Sequence, residues 1–206
     1  MRKLPSQKRS RVRVQHILAA TRTLICNIEG HDIARVTTAH IAEAADVSVG
    51  SLYQYFSNVE SIFLALYEEL VDPIQEVLEE FDSAKMLSMP VDKFFDSFNR
   101  SMTSRGPNRE FVFAMQQATK VYPALVEAET LHSEYLADKI AGFLRHFGST
   151  WPMPKLKRLA LYMFYLDYGT WYYRQRYLPE DAEIFEWELE TLNTFLTRAF
   201  NEPGND

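Results

Sequence analysis

The stretch that decides the fold runs from Val36 to Glu60, VTTAHIAEAADVSVGSLYQYFSNVE, and contains two short helical patterns joined by a tight turn. We predict that Thr38 caps the first helix, because its hydroxyl can accept a backbone N–H of the first turn. Asp46 is expected to end that helix, since Asp tolerates the left-handed backbone conformation that such a corner requires. Ser48 is placed to cap the second helix. The pattern predicts a helix-turn-helix.

Each of the two short helices has an inner apolar face. The first is expected to turn Ile41, Ala42 and Ala45 inward, and Val47 follows as the buried residue of the turn. Leu52 and Phe56 continue the inner face along the second helix. The residues left facing outward or along the rim of the second helix are small, polar or aromatic and carry no charge: Val49, Gly50, Ser51, Tyr53, Gln54 and Tyr55.

This segment resembles the TetR family of bacterial transcriptional regulators, whose pattern reads roughly T-T-x-x-I-A-x-x-A-G-V-S-x-G-x-L-Y-x-Y-F-x-N-K-E. The chain matches the pattern at Thr37, Thr38, Ile41, Ala42, Ala45, Val47, Ser48, Gly50, Leu52, Tyr53, Tyr55, Phe56, Asn58 and Glu60. Asp46 stands where the family usually has Gly, which is sterically acceptable. Val59 stands where the family usually has a Lys that reaches a DNA phosphate, so one backbone contact is expected to be missing.

The resemblance implies an all-α protein of about nine helices in two domains. Residues 1–57 would form an N-terminal three-helix helix-turn-helix DNA-binding domain, and residues 58–206 a C-terminal helical ligand-binding and dimerisation domain. The implied function is that of a repressor, working as a homodimer on a palindromic operator in double-stranded DNA and released by a small molecule. Two recognition helices would enter successive major grooves about 34 to 36 Å apart.

The expected DNA contacts fall into two groups. Lys8, Arg9, Arg11, Thr38, Ser51 and Tyr53 would hold phosphates, while His40, Val49, Gly50, Gln54 and Tyr55 would face base edges. Ser48, the cap of the recognition helix, is included in the same surface. Gly50 would let the backbone approach the DNA closely, and Val49 could touch a thymine methyl group.

Charge is unevenly distributed along the chain. Residues 1–28 contain seven basic side chains and no acidic one: Arg2, Lys3, Lys8, Arg9, Arg11, Arg13 and Arg22. Residues 1–60 hold eight Lys and Arg against five Asp and Glu, whereas the remainder holds 14 against 23. A basic tail by itself is more typical of a solvated terminus, but a basic segment directly before a helix-turn-helix favours phosphate binding.

Composition indicates a globular protein. The chain has 206 residues, of which 47% are hydrophobic, and only seven glycines, which argues against disorder and against a turn-rich β architecture. A single cysteine excludes an intrachain disulfide framework and suits a reducing compartment. Polar residues interrupt the apolar segment 14–28, so it does not form a signal-peptide core, and no run approaches the ~18 apolar residues of a membrane span. We therefore expect a cytoplasmic protein that does not associate with a membrane.

Helical periodicity continues through the rest of the chain. We predict a first helix at 7–29, a loop at 31–36, and a long helix that is capped by Ser57 or Asn58, runs to Phe81 and bends at Pro73. A break at 83–89 is followed by predicted helices near 91–103, 110–119, 123–147, 155–177 and 180–200. No strand is predicted.

The last two predicted helices are where we expect the homodimer interface. The final helix carries an apolar stripe, and the preceding helix has eight uncharged residues in a row from Leu159 to Leu166. The expected interface residues are Leu159, Met163, Phe185, Leu189, Leu192 and Leu196. The alternative is an ordinary core helix buried within one subunit. The resemblance favours a C₂ dimer built from these two helices.

Eight aromatic residues between 162 and 177 could line an effector pocket, because aromatic walls with a few hydroxyl groups suit a small apolar or aromatic ligand. The candidate ligand-binding residues are Phe98, Met102, Phe111, Met115, Tyr165, Asp167, Tyr168, Trp171 and Tyr172. For any one aromatic residue, core or interface packing is the competing interpretation. For Asp167 a solvated helix edge or a structural role is favoured over contact with a ligand.

Catalytic motifs are absent from the sequence. There is no H-E-x-x-H, C-x-x-C, G-x-S-x-G or phosphate-loop pattern, and no two histidines stand at i, i+4 spacing. Cys26 suits a buried structural thiol better than a redox switch. We therefore expect no enzyme activity, no cofactor and no metal. The alternative function is a helical protein-interaction module whose body is controlled by a protein partner, and an α-helical enzyme ranks third.

Overall fold

The structure is a computed structural model that describes residues 8–28, 32–105, 109–177 and 182–203. Within these ranges the chain forms ten α-helices, one 3₁₀ helix and no strand, which confirms the predicted all-α class. The helices are α1 (Lys8–Asn27), the 3₁₀ helix (Ile33–Arg35), α2 (Thr38–Ala44), α3 (Val49–Tyr55), α4 (Val59–Phe81), α5 (Ala84–Leu87), α6 (Val91–Ser104), α7 (Arg109–Thr119), α8 (Pro123–His146), α9 (Met153–Tyr177) and α10 (Ala182–Asn201).

Two short helices lie where the sequence analysis placed a loop or a break. The 3₁₀ helix occupies part of the predicted loop at 31–36, and α5 occupies part of the predicted break at 83–89. Ser83 initiates α5, since its side chain accepts the backbone N–H of Met86 at 3.5 Å. Segments of three or four residues are too short to show helical periodicity, so the sequence pattern did not reveal them.

The long helix α4 is capped by Asn58. The Ser61 N–H donates to Asn58 Oδ1 at 2.8 Å, and in return the Asn58 N–H donates to Ser61 Oγ at 3.3 Å. This reciprocal pair satisfies backbone donors that a helix start leaves without partners. It selects Asn58 over Ser57, the two caps that the sequence left open. Pro73 lies inside α4, which continues to Phe81.

The chain packs into two compact units. Unit 1 comprises Met1–Asp72 and Pro107–Glu129, and unit 2 comprises Pro73–Gly106 and Thr130–Asp206. Both α4 and α8 contribute residues to each unit. By packing, unit 1 therefore extends beyond the helix-turn-helix to the first part of α4, to α7 and to the start of α8. The predicted boundary between residues 57 and 58 separates DNA binding from effector binding and dimerisation. The division by packing does not test it, so it stays a prediction.

Unit 1 is organised around a core that includes all three helices of the predicted DNA-binding domain. Its fully buried side chains include Ile17 of α1, Ile41 of α2 and Leu52 of α3. Helix α7 packs against α1 and the 3₁₀ helix, and contributes Phe111 and Met115 to this core. The apolar faces of the short helices are thus buried against a scaffold larger than three helices, which stabilises elements that would be marginal alone.

Unit 2 has a separate core rich in phenylalanine. The Phe81 ring meets Phe94 and Phe98 edge-on, each at 5.3 Å between ring centroids, and Phe143 meets Phe94 at 5.1 Å. Edge-to-face pairs of this kind add to the stabilisation from burial alone.

No helix in the described ranges has the length and apolar character needed to cross a membrane.

Candidate nucleic-acid interface

The N-terminus of α2 is capped by Thr37, and the predicted cap at Thr38 is wrong. Thr37 has an extended backbone, with φ −115° and ψ 163°, and its hydroxyl accepts the His40 N–H at 3.2 Å. Thr38 is already the first helical residue, whereas a capping residue stands outside the helix. Its hydroxyl lies 3.4 Å from the Tyr53 hydroxyl of α3 instead. Thr37 and Thr38 both carry a hydroxyl that can cap a helix, so the sequence alone could not show which of them stands just before the first helical residue.

The corner between α2 and α3 has the predicted geometry. Asp46 adopts a left-handed conformation with φ 47°, the one positive φ among the described residues other than glycine. This bend lets the Val47 N–H donate back to the Ala42 carbonyl at 2.9 Å, which satisfies one of the free carbonyls at the helix end. Val47 is half-buried against the core of unit 1. The prediction for Asp46 is confirmed.

Helix α3 begins at a serine cap, as predicted. Ser48 has an extended backbone and its Oγ accepts the Ser51 N–H at 3.1 Å. Leu52 and Phe56 are completely buried, so they fix which side of the helix faces the protein. Because residues three and four apart share a helix face, the opposite side is left to solvent.

The outer face of α3 is exposed and uncharged. Val49 is 39% exposed and Tyr53 43%, and Gly50 and Gln54 are exposed beside them. A Cβ added at Gly50 would meet only Ser48 Oγ, at 3.9 Å. The fold therefore has no steric need for glycine at this position. Ser51 and Tyr55 lie at the rim, half-buried, and Tyr55 packs against the unit 1 core.

The basic residues of α1 divide into two groups. Arg11 and Arg13 are exposed on the N-terminal half of the helix, and Lys8 and Arg9 belong to the same helix although their side chains lie outside the described part. Arg22 has a different role, because it pairs with Glu69 and lies over the Phe111 ring at 4.7 Å. The predicted basic residues Arg2 and Lys3 fall outside the described residues.

Three residues separate the end of α3 from the first turn of α4. Val59, its first residue, is half-buried and packs against the unit 1 core. Glu60 Oε1 accepts the Ala124 N–H at 3.2 Å, so this carboxylate satisfies a free donor in the first turn of α8. A carboxylate at a helix N-terminus is also favoured by the helix dipole. The sequence contained no signal for this contact, which spans 64 positions.

Cys26 is a half-buried thiol beside charged neighbours. Burial raises its pKa, Glu110 raises it further, and Arg22 partly offsets both. A raised pKa keeps the thiol protonated and therefore a poor nucleophile at neutral pH. The interpretation of Cys26 as a structural residue is supported by this environment.

The predicted dimer-interface residues lie mainly inside unit 2. Met163, Leu192 and Leu196 are buried in its core, Leu189 is also buried, and Leu159 packs against the core half-buried. The Phe185 side chain is outside the described part. On the described parts of the same two helices the exposed large side chains are Met153, Tyr162, Tyr165, Tyr173, Tyr177 and Trp187.

The predicted ligand-binding residues are divided between the two units. Phe111 and Met115 are buried in the core of unit 1, while Phe98 and Met102 belong to the core of unit 2. Asp167 and Tyr168 are half-buried on α9, and the Trp171 and Tyr172 side chains lie outside the described part.

Tyr165 lines an open groove of about 480 Å³ between α9 and α10. The other lining residues are Leu166, Gly169, Thr170, Tyr173, Ile184, Trp187, Glu188 and Thr191. Among the described residues, no three His, Cys, Asp or Glu side chains are arranged to hold a metal ion.

Comparisons with known proteins identify the helix-turn-helix and the fold. Residues 17–66 match the model described as bacterial regulatory proteins, tetR family. Among solved structures, a TetR-family transcriptional regulator from Haemophilus influenzae RD is 15% identical, with a TM-score of 0.63, and the match covers 94% of this chain and 98% of the other. One from Streptomyces coelicolor is 20% identical, with a TM-score of 0.58, and the match covers 91% and 99%. The comparison with curated proteins gave no significant match.

The matched segment contains the second half of α1, the whole of α2 and α3, and the capped start of α4. The similar structures extend the likeness in fold over almost the entire chain. An exposed, uncharged recognition helix on a rigid three-helix scaffold is the arrangement with which helix-turn-helix proteins enter a major groove. Residues 17–66 therefore form a helix-turn-helix segment that matches the TetR family of bacterial regulatory proteins, and the chain has the fold of TetR-family transcriptional regulators.

Proposed function

We propose that the protein is a cytoplasmic repressor that binds a palindromic operator as a homodimer and leaves it when a small apolar or aromatic molecule binds unit 2. The observation that carries the proposal is the outer face of α3. Val49, Gly50, Tyr53 and Gln54 are exposed there while Leu52 of the same helix is completely buried. An amide, a hydroxyl and a small apolar group on one face can read base edges, because each base pair presents a distinct pattern in the major groove.

The phosphate contacts proposed for the complex come from two directions. Lys8, Arg9 and Arg11 on α1 supply charge, and Thr38 and Tyr53, whose hydroxyl groups lie 3.4 Å apart, supply neutral donors at the edge of α3. Ser48 and His40 lie at the starts of the two short helices. Contacts to phosphates set the register of the protein on the duplex and leave sequence discrimination to α3.

A salt titration tests the DNA-binding proposal. Duplexes are first selected by the wild-type protein from a random-sequence pool, and affinity is then measured over a range of salt concentrations. Replacing Lys8, Arg9 and Arg11 by Ala should weaken binding to selected and random duplexes alike and flatten the log–log salt slope by about 0.9 per lost phosphate contact.

The matched control replaces three exposed cations of unit 2, Lys85, Lys93 and Arg158, by Ala. It removes the same charge at sites outside the proposed surface, so the slope should stay at the wild-type value. Equal slopes for the two triple variants would refute the assignment of the α1 cations.

Unit 2 supports the effector part of the proposal through the groove between α9 and α10. Its aromatic walls and the buried Glu188 carboxylate offer apolar surface with a few polar groups, as small-molecule sites commonly do. Native mass spectrometry should detect a bound small molecule whose addition weakens binding to a selected duplex, and Thr170→Ala, which alters a half-buried groove residue, should weaken the adduct while leaving DNA affinity intact. Release of DNA only by a protein from the same cells would favour the interaction-module alternative.

A further inference from the structure

A side chain from α1 reaches the corner of the helix-turn-helix. His16 Nε2 lies 2.8 Å from the Ala45 carbonyl oxygen, 29 positions further along the chain. Ala45, which is 1% exposed, is the C-cap of α2 and stands directly before Asp46 with its left-handed backbone. The carbonyls at a helix C-terminus have no intrahelical partner, so an N–H donated by His16 satisfies a group that the turn itself leaves open.

This hydrogen bond fixes the relative position of α1 and the corner more narrowly than the surrounding apolar contacts do. Ile17, Ile41 and Ala42 bury α1 against α2, but burial of apolar surface is non-directional and tolerates small rotations. A hydrogen bond holds its two atoms within a narrow range of distance and angle. The Ala45 carbonyl is three positions before Ser48, which caps α3. A shift of this corner would therefore tilt the exposed face of α3.

We propose that His16 is a positioning residue for DNA reading, which clamps the helix-turn-helix corner so that Val49, Tyr53 and Gln54 meet base edges in register. The assignment rests on the proposed DNA-reading role of α3. In this role His16 does not need to contact DNA. Removing the His16–Ala45 hydrogen bond should therefore reduce sequence discrimination and leave general DNA affinity unchanged.

The geometry specifies which substitutions should preserve the clamp. The donor is the ring nitrogen farther from the backbone, and the side-chain nitrogen of glutamine lies at a similar reach. The nitrogen of asparagine corresponds to the nearer ring position and falls short of the carbonyl. Leucine keeps comparable bulk and removes the donor. His16→Gln is therefore the rescue variant, and His16→Asn and His16→Leu are the loss variants.

The experiment measures affinity for a duplex selected by the wild-type protein and for a scrambled duplex of the same composition. His16→Leu and His16→Asn should bind the selected duplex about tenfold more weakly, in keeping with the loss of one partner of a partly buried hydrogen bond. Binding to the scrambled duplex should stay within about twofold, because phosphate contacts dominate non-specific affinity. His16→Gln should bind both duplexes within about twofold of the wild type.

Thr23→Val is the matched control, since it removes a side-chain hydrogen bond that stays within α1, from Thr23 Oγ1 to the Ala19 carbonyl. It should leave both affinities unchanged. Circular dichroism and thermal melts show whether each variant is folded. If His16→Leu fails to fold, the comparison of His16→Asn with His16→Gln tests the assignment instead.

Three results would overturn the assignment: equal loss on both duplexes, wild-type discrimination in the loss variants, or His16→Gln behaving like His16→Leu. A wild type without any sequence preference would instead refute the DNA-reading role itself, and this assignment with it. Failure of the His16 assignment alone would leave the wild-type preference intact, so the two failures are distinguishable.

Discussion

Individual residues on α3 and around its corner are placed by two different demands, that of the fold and that of the DNA surface. The fold requires the conformation of Asp46, because the turn needs its positive φ of 47°. Gly50 has no such role, since a Cβ there would meet only an ordinary contact at 3.9 Å. A glycine that the protein interior does not need, on a helix where it lowers stability, fits the proposed close approach of DNA at this position.

Gly50→Ala therefore separates stability from function. We expect the free energy of unfolding to rise by up to about 1 kcal/mol, the difference in helix propensity between the two residues, while affinity for a selected duplex falls. Gly142→Ala on α8 is the matched control, because a Cβ there meets nothing within 4 Å and the site is exposed. It should stabilise the protein without changing DNA affinity. Unchanged affinity of Gly50→Ala would rule out a close approach of the backbone at this position.

Val59→Lys tests the orientation of the start of α4. If that helix end faces a phosphate, an added cation should tighten binding to selected and random duplexes alike and steepen the salt slope by about 0.9 per subunit. Val59 packs half-buried against the unit 1 core, so we expect the substitution to cost about 1 kcal/mol of stability, which a thermal melt will register. A folded variant with wild-type affinity and slope would mean that this end of α4 does not face DNA.

At the scale of elements, the two short helices depend on their caps and on tertiary support. Helices α2 and α3 are only seven residues long, well below the length at which isolated helices are stable in water. Hydroxyl caps at Thr37 and Ser48 satisfy free N–H groups at their starts. Buried Ile41, Leu52 and Phe56 hold them against α1 and α4. Caps and burial thus support both helices in spite of their short length.

Ser48→Ala should reduce the free energy of unfolding by about 1 kcal/mol through loss of the α3 cap. Because α3 would fray at the end that carries Val49 and Gly50, affinity for a selected duplex should fall more than affinity for a random one. Ser48→Thr retains the capping hydroxyl and should restore most of both properties. The measurements are thermal melts and duplex titrations, and a stable Ser48→Ala variant with full discrimination would contradict the expected role of the cap.

At the scale of the whole molecule, the proposed homodimer determines how the two recognition helices are spaced. The leucines predicted to form its interface are already buried in the core of unit 2, so substituting them would test folding rather than assembly. The exposed aromatic residues of α9 and α10 offer a cleaner test. Trp187 is 52% exposed and lines the groove between these two helices.

We expect the wild-type protein to sediment as a dimer and Trp187→Glu to sediment as a monomer with much weaker affinity for a two-half-site duplex, since the two sites would no longer be engaged together. Leu131→Glu on α8 is the control, because Leu131 is 61% exposed and its substitution introduces the same charge away from α9 and α10. It should remain dimeric. A monomeric wild type, or a dimeric Trp187→Glu variant, would contradict an interface on the exposed face of these helices.

The sequence by itself determined the features whose causes lie within a few residues. Helical periodicity, the Ser48 cap and the left-handed position of Asp46 act over one or two turns, so their signals could be read directly. The same locality explains the error at Thr38, since two adjacent threonines carry equal capping signals and only the helix start distinguishes them.

Only the tertiary structure decided which distant segments meet. It assigned α7 and the start of α8 to unit 1, turned the leucines of α10 inward, and joined His16 to the Ala45 carbonyl. Such contacts link positions dozens of residues apart, and which side chains meet depends on how whole helices pack. An apolar stripe requires burial but does not specify its partner, because the hydrophobic effect has no direction.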